Sequence, residues 1–250
     1  METITLDNNY NIKIAHNISE IPENTFDINK LKILNLLKTN QITFKIDFSN
    51  ILPKQYKKIL KKFLCIKKFL IKMKKHIGRP EGDNEIVCYI INYNKNNKLQ
   101  NDFILGINAI LFNTRYERYN YIYDTVCDYL DSFFYGKNLC DFKYNQCGEK
   151  RSANSDSYVG CCHHYKIKLL GPLISNNLIS CEHLKEDHTC GAICIGCKLF
   201  TCDYLEKKGV KFKIKDILLL DAFFNPLQKY FIKTMVFTPK EQILKRLMFL

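Results

Sequence analysis

No apolar run in this chain approaches the roughly 18 residues that a membrane span needs, because Lys, Asn or Asp breaks its longest apolar tracts. The segment Met1–Asn11, METITLDNNYN, is acidic and polar. It has neither the basic start nor the apolar stretch of a secretory signal, so a cytoplasmic chain with reduced thiols is the expectation. Tryptophan is absent, although 17 Phe and 15 Tyr supply aromatic bulk. There is no P-loop, no dinucleotide-binding glycine motif, no GxSxG and no HExxH, and Gly78 and Gly82 alone do not make a phosphate cradle. Those absences leave no readable catalytic set. What remains is globular: 250 residues with 46% hydrophobic content can bury a real core, as one large domain or two small ones.

Acid is missing where base is densest. Pro53–Lys75 carries Lys54, Lys57, Lys58, Lys61, Lys62, Lys67, Lys68, Lys72, Lys74 and Lys75 and no Asp or Glu, in a chain of net charge +13. Leu52, Tyr56, Ile59, Leu60, Phe63, Ile66, Leu70 and Met73 recur at three- and four-residue steps, which predicts an amphipathic helix with a lysine face. Such a face suits a polyanion or an acidic protein surface, through Lys57, Lys58, Lys61, Lys62, Lys68 and Lys72. The plain alternative is a solvated face. It offers no arginine fork and no stacking aromatic, so it is not built to read bases.

The pattern predicts an α+β fold, mostly helical, with a small N-terminal sheet and a loop-rich cysteine metal-binding module. Ile42–Phe48 alternates apolar and polar as a half-buried strand does. Leu31–Leu37 suggests a short helix, Gly78–Asp83 a loop, and Ile86–Tyr93 a strand closed by a turn-rich Asn94–Lys98. Helical periodicity resumes near Phe103. Thr114 and Glu117 are spaced as a capping box for a helix that reaches Tyr135, with Gly136 at its end. On that helix Tyr116, Tyr119, Tyr123, Cys127 and Leu130 read as a core stripe. Beyond Gly209, Ile214–Phe224 and Leu227–Met235 are helix candidates, and Thr238, Pro239 and Glu241 suggest the N-cap, first and third positions of a last helix. Three regions follow: 1–136, 137–206 and 207–250.

Nine of the twelve cysteines lie between Cys140 and Cys202, with His163, His164, His183 and His188 among them. Thiols used as small core hydrophobes, as Cys65, Cys88 and Cys127 are read, would not gather in one window. In a reducing compartment such a cluster points to metal rather than to disulfides. The candidate ligands are Cys140, Cys147, Cys161, Cys162, Cys181, Cys190, Cys194, Cys197 and Cys202. Cys194 and Cys197 have the knuckle spacing that turns two sulfurs toward one ion. Nine thiols exceed the four of one tetrahedral zinc. The adjacent Cys161 and Cys162 diverge, which suits a cluster of several metal atoms or two neighbouring sites. At least four of Cys161, Cys162, Cys181, Cys190, Cys194, Cys197 and Cys202 are expected to converge. With so many thiols the histidines read as supporting or surface groups. Lys150, Arg151, Lys166 and Lys168 could offset thiolate charge.

Gly160-Cys161-Cys162, Cys181-Glu-His-Leu184, Asp187-His-Thr-Cys190 and Cys197-Lys-Leu-Phe200-Thr-Cys202 follow one another in an order that resembles the zinc- or iron-chelating family named for its CxxCxxCC motif. The likeness covers about residues 140–202. It departs in the wide spacing of Cys140 and Cys147 and in the lack of Arg-Pro before the last cysteine. The resemblance implies chelation of zinc or of an iron–sulfur cluster, and larger relatives, the flagellin lysine methylases, join such a cluster to methyl transfer. Cys190-x3-Cys194-x2-Cys197 also matches the spacing of radical S-adenosylmethionine enzymes, but those place it ahead of most of a barrel, and only residues 198–250 follow here. The expected function is a cytosolic metal-binding protein, with an iron–sulfur enzyme of redox or S-adenosylmethionine-dependent methyl-transfer chemistry as the alternative.

Overall fold

The computed structural model describes residues 2–5, 11–27, 42–77, 86–137, 139–140, 142–143, 146–147, 163–165, 178–180, 183, 185–186 and 190–250. The helix expected at Leu31–Leu37 and the loop at Gly78–Asp83 lie outside them, as do Cys161, Cys162, Cys181 and His188. The fold is α+β and mostly helical, with a small sheet near the N-terminus. One unit comprises Met1–Tyr119 with Asp221–Phe223, the other Asn120–Leu220 with Phe224–Leu250. Among the described residues no helix is long and apolar enough to cross a membrane.

The first unit is built on strands β1 (Glu2–Thr5), β2 (Asn11–Ile14), β3 (Phe26–Asp27), β4 (Ile42–Asp47) and β5 (Ile86–Ile91), in the order β1-β2-β5-β4-β3. Only β1 runs antiparallel to its neighbour. Helix α1 (Tyr56–Ile77) connects the parallel neighbours β4 and β5, the crossover that parallel pairing requires. The register sets Ile42, Phe44 and Ile46 beside Ile86, Cys88 and Ile90, and Ile12 and Ile14 beside the last two. That face receives α1, where Phe63 meets Phe44 edge-on at 4.8 Å. On the other face Ala15, Val87, Tyr89 and Ile91 form a smaller core with Ile21 against it. Strand β5, central and covered on both faces, is therefore apolar throughout, as buried parallel strands are.

Helix α2 (Lys98–Leu111) begins five residues before the expected Phe103, because the Asn97 side chain accepts from the Leu99 and Gln100 amides. Its C-terminal carbonyls have no helical partners. Two buried cations take them: the Lys67 ammonium donates to the Leu111 and Phe112 carbonyls, and Arg118 to those of Ala109 and Phe112. Arg118 lies on α3 (Arg115–Gly136), which opens with the expected box: the Glu117 amide donates to Thr114 Oγ1 at 3.1 Å, and the Thr114 amide to the Glu117 carboxylate at 3.0 Å.

Ile59, Leu60, Phe63, Ile66 and Leu70 face the core, as the α1 periodicity predicts, and Lys54, Lys58, Lys61, Lys68 and Lys72 face solvent. Lys57 is half-buried and paired with Asp221 at 2.6 Å, and Lys62 is half-buried too. Cys65 corrects its reading as a core residue. It is exposed, because a position four after Lys61 and three before Lys68 shares their face. Cys88 and Cys127 are buried as expected, and burial pushes the Cys88 thiol up to about 12.

In the second unit, the short ladders β6 (Phe142–Lys143) with β7 (Gln146–Cys147) and β8 (His163–Tyr165) with β9 (Leu178–Ser180) precede α4 (Ile195–Leu199) and α5 (Asp203–Lys207). Gly209, at φ 76°, ends α5 with a Schellman turn, its amide donating to Glu206 and that of Val210 to Leu205. Helices α6 (Leu218–Phe223), α7 (Pro226–Thr234) and α8 (Lys240–Phe249) complete the chain. Asn225 and Gln228 cap α7 reciprocally, and buried Gln228 also donates to the Leu247 carbonyl near the end of α8. The expected Thr238 cap is not formed. Pro239 occupies the N-cap, and Thr238 Oγ1 donates instead to the Val236 carbonyl.

Burial, then the Arg118 charge, pulls the Lys67 pKa from 10.5 down to about 8. Between those values the unfolded chain keeps a proton that the folded chain has lost, so unfolding free energy rises with pH across the window. Below pH 8 both states are charged and the gain is absent. Urea midpoints of wild type and Lys67→Met should therefore diverge in favour of wild type between pH 8 and 10.5. A pH-independent difference would sink this assignment.

Candidate metal centre

The segment Cys190–Leu199 is held by side chains of α3. Its loop part belongs to no helix and has only an isolated bridge at Cys190, so its main-chain groups find most of their partners elsewhere. The Tyr135 hydroxyl takes the Cys190 amide and donates to the Cys190 carbonyl. The Tyr123 hydroxyl accepts from the Ile195 amide at 3.1 Å and hydrogen-bonds the Cys194 sulfur. Lys198, buried on α4, pairs with Asp131. The Gly191 amide donates to the His183 carbonyl at 2.7 Å, tying the loop to an earlier part of the cysteine window.

The spacing of Cys194 and Cys197 is that of an N-cap and its third helical residue. Cys194 is the N-cap of α4, and its sulfur accepts from the Cys197 amide at 3.5 Å. Further donors converge on the pair. The Gly196 and Thr238 amides reach Cys194, and the Phe237 amide reaches the Cys197 sulfur at 3.0 Å. Phe237 has a φ of 54°, in the left-handed region that non-glycine residues rarely occupy. That strained turn aims its amide at the sulfur. The backbone between α7 and α8 therefore closes over α4 and lends it hydrogen bonds. Gly196 makes the approach feasible, since a Cβ there would stand 2.6 Å from the Met235 carbonyl oxygen and 2.8 Å from that of Ile232.

The two sulfurs are hydrogen-bonded to each other. That bond from Cys197, opposed by burial and aided by the amides, lowers the Cys194 pKa, and the same contact together with burial raises that of Cys197. Of the two, Cys194 is the sulfur on which negative charge is favoured. Cys194 is 3% exposed and Cys197 more open. As a thiol, Cys194 would donate to the Met235 carbonyl at 3.3 Å. Burial pushes Tyr135 up to about 12, against the opposing hydrogen bond from the Cys190 backbone. Cys190 also acts electrostatically on Cys197.

Among the described residues, no three His, Cys, Asp or Glu side chains form a group that could hold a metal ion. Cys190, Cys194, Cys197 and Cys202 do not close into a ligand set as they stand, so the expected convergence of four cysteines is not met by these four. Cys161, Cys162 and Cys181 lie outside the described residues, and Cys147, His163 and His164 are described in backbone alone. Strand β8 starts just after Cys162, and β9 ends just before Cys181. Sequence reasoning missed Tyr123, Tyr135 and the Phe237 turn. Periodicity showed only that α3 has an inward face, which Tyr119, Tyr123, Cys127 and Leu130 line; Tyr116 corrects its reading as part of that stripe, being exposed in the first turn of the helix. Comparison with family models, with curated proteins and with solved structures finds no match.

Gly196→Ala should force α4 away from the Met235 carbonyl, because both opposing atoms are backbone. A cost of about 1–3 kcal/mol is the expected overpacking penalty. The alkylation rate of Cys197 should rise with it, as the Phe237 amide withdraws. Unchanged stability and labelling would show that the close approach does not hold the pair.

Proposed function

We propose that this protein is a metal-binding protein, and that Cys194 and Cys197 are the fixed half of a cysteine-ligated centre for zinc or an iron–sulfur cluster. The observation that carries this reading is the setting of the two sulfurs. The Cys197 amide donates to the Cys194 sulfur at 3.5 Å and the Phe237 amide to the Cys197 sulfur at 3.0 Å, so main-chain donors converge on both. Amide donors favour thiolate, yet two adjacent thiolates repel, and a soft cation resolves the conflict. Hydrogen bonds to ligand sulfurs also tune zinc and iron–sulfur centres. Cys190, on the same pinned loop, is a further candidate ligand. The cysteines flanking β8 and β9, and the order shared with the CxxCxxCC chelating family, support the same reading.

The burial of Cys194, the sulfur on which charge is favoured, speaks against a dithiol that exchanges with protein disulfides. An attacking thiolate must be accessible, and here that sulfur is the more buried member. The exposed lysines of α1 support a second, separate role in binding a polyanion or an acidic protein surface.

Protein purified without oxygen should carry stoichiometric metal, and elemental analysis with a visible spectrum separates brown iron–sulfur from colourless zinc. Cys194→Ser with Cys197→Ser should lose it. Chelation should loosen residues 140–202 first in hydrogen exchange, since metal would supply the stability that the weak apolar sequence pattern of this window does not. Metal-free wild type, or a double variant that keeps its metal, would refute the proposal.

A further inference from the structure

We propose that the lysine row of α1 docks the phosphate backbone of a nucleic acid, an inference that rests on the polyanion reading above. Lys54, Lys58, Lys61, Lys68 and Lys72 are all exposed. Steps of three, four and seven residues place Lys58, Lys61, Lys68 and Lys72 on one line of α1, with exposed Cys65 filling the long step, and Lys54 stands in the 3-10 turn just before the helix. From Lys58 to Lys72 the row runs about 21 Å at 1.5 Å per residue. Pro53–Lys75 contains no acid. Among the described residues none of the five lysines meets a carboxylate, whereas Lys57, just off the line, pairs with Asp221.

Three classes of partner carry negative charge, and the geometry separates them. Lipid binding by an amphipathic helix needs an apolar face to bury between headgroups. The apolar face of α1 is spent on the core, with Phe63 at 0% and Leu60 and Ile66 at 1% exposure. A protein surface mixes both signs, so it rarely offers a continuous negative line to match five cations without an acid between them. A nucleic acid does so by its covalent structure. Lysine alone, as a point charge without a fork, holds phosphate and reads no bases.

Five phosphate contacts predict a slope of log affinity against log salt of about −4.5 for duplex DNA and about −3.5 for a single strand. Between 50 and 200 mM salt, duplex affinity should fall about 500-fold. The variant Lys58→Gln, Lys61→Gln, Lys68→Gln, Lys72→Gln should reduce the duplex slope to about −1, equally for unrelated sequences. Lys→Arg at the same four positions should keep binding, which separates charge from folding, and metal content should stay unchanged in both. Fluorescence anisotropy with duplex DNA, single-stranded RNA, poly-glutamate and anionic vesicles reads the outcome. Binding to poly-glutamate or vesicles but to neither nucleic acid overturns this inference and leaves the polyanion reading standing. No binding to any probe at 50 mM salt overturns both. A duplex slope unchanged in the glutamine variant overturns the assignment to this row.

Discussion

Unpaired main-chain groups are the constraint from which the candidate centre follows. The loop Cys190–Cys194 belongs to no helix and meets the sheets only as an isolated bridge at Cys190. An unsatisfied buried amide costs on the order of 1–3 kcal/mol, so a loop like this stays in place only if something else accepts its hydrogen bonds. Two tyrosine hydroxyls do so, at Cys190 and at Ile195. A phenol suits the task because its ring packs as a hydrophobe while its tip serves as donor or acceptor. Once the loop is pinned, the N-cap position of Cys194 follows, and so does the placement of its sulfur beside Cys197. The buried Lys198–Asp131 pair adds a charged tie one turn further along.

The same logic governs the first unit with charge in place of hydroxyls. The end of α2 presents carbonyls to an apolar interior, and Lys67 and Arg118 supply the donors. Burying a charge is costly, and a like charge close by adds to the cost, which is why the Lys67 pKa falls. The cost is accepted because the alternative is a row of buried acceptors with nothing to accept. Lys67 therefore leaves the lysine row although it belongs to the same lysine-rich segment. The charge of α1 is divided between a structural cation inside and a solvent-facing line outside.

How far the sequence revealed this depended on whether a signal was local. Alternation in Ile42–Phe48, the three- and four-residue steps of α1 and the Thr114–Glu117 box are local, and each formed as read, apart from Leu52, which precedes α1 as the cap of a 3-10 turn and is exposed. The start of α2 was also local, but Asn97 is one of many asparagines in the chain and its cap looked like more turn. Thr238 misled because Thr-Pro-x-Glu satisfies a cap pattern that Pro239 itself came to occupy. Cys65 was readable from helical phase and was misjudged from its apolar neighbours Leu64 and Ile66. Tyr123, Tyr135 and Phe237 were beyond reach. Their partners stand 72, 55 and 40 residues away in the chain, and no periodicity reports which amide a hydroxyl or sulfur will meet.

Strain sharpens the argument for a centre at Cys194 and Cys197. A non-glycine residue with φ of 54° costs on the order of 1–3 kcal/mol and persists only where its surroundings hold it. Phe237 is half-exposed, so packing of its ring does not account for the conformation by itself. The conformation does deliver its amide to the Cys197 sulfur and, one residue on, that of Thr238 to Cys194. Gly196 yields its side chain to the same approach, since any Cβ there would collide with backbone. A thiol pair used as ordinary core would need neither concession, because thiols are weak acceptors and pack as small hydrophobes. Two local costs spent on donors to two sulfurs fit the thiolate centre proposed for Cys194 and Cys197, and they set this pair apart from Cys88 and Cys127, which are buried as ordinary core.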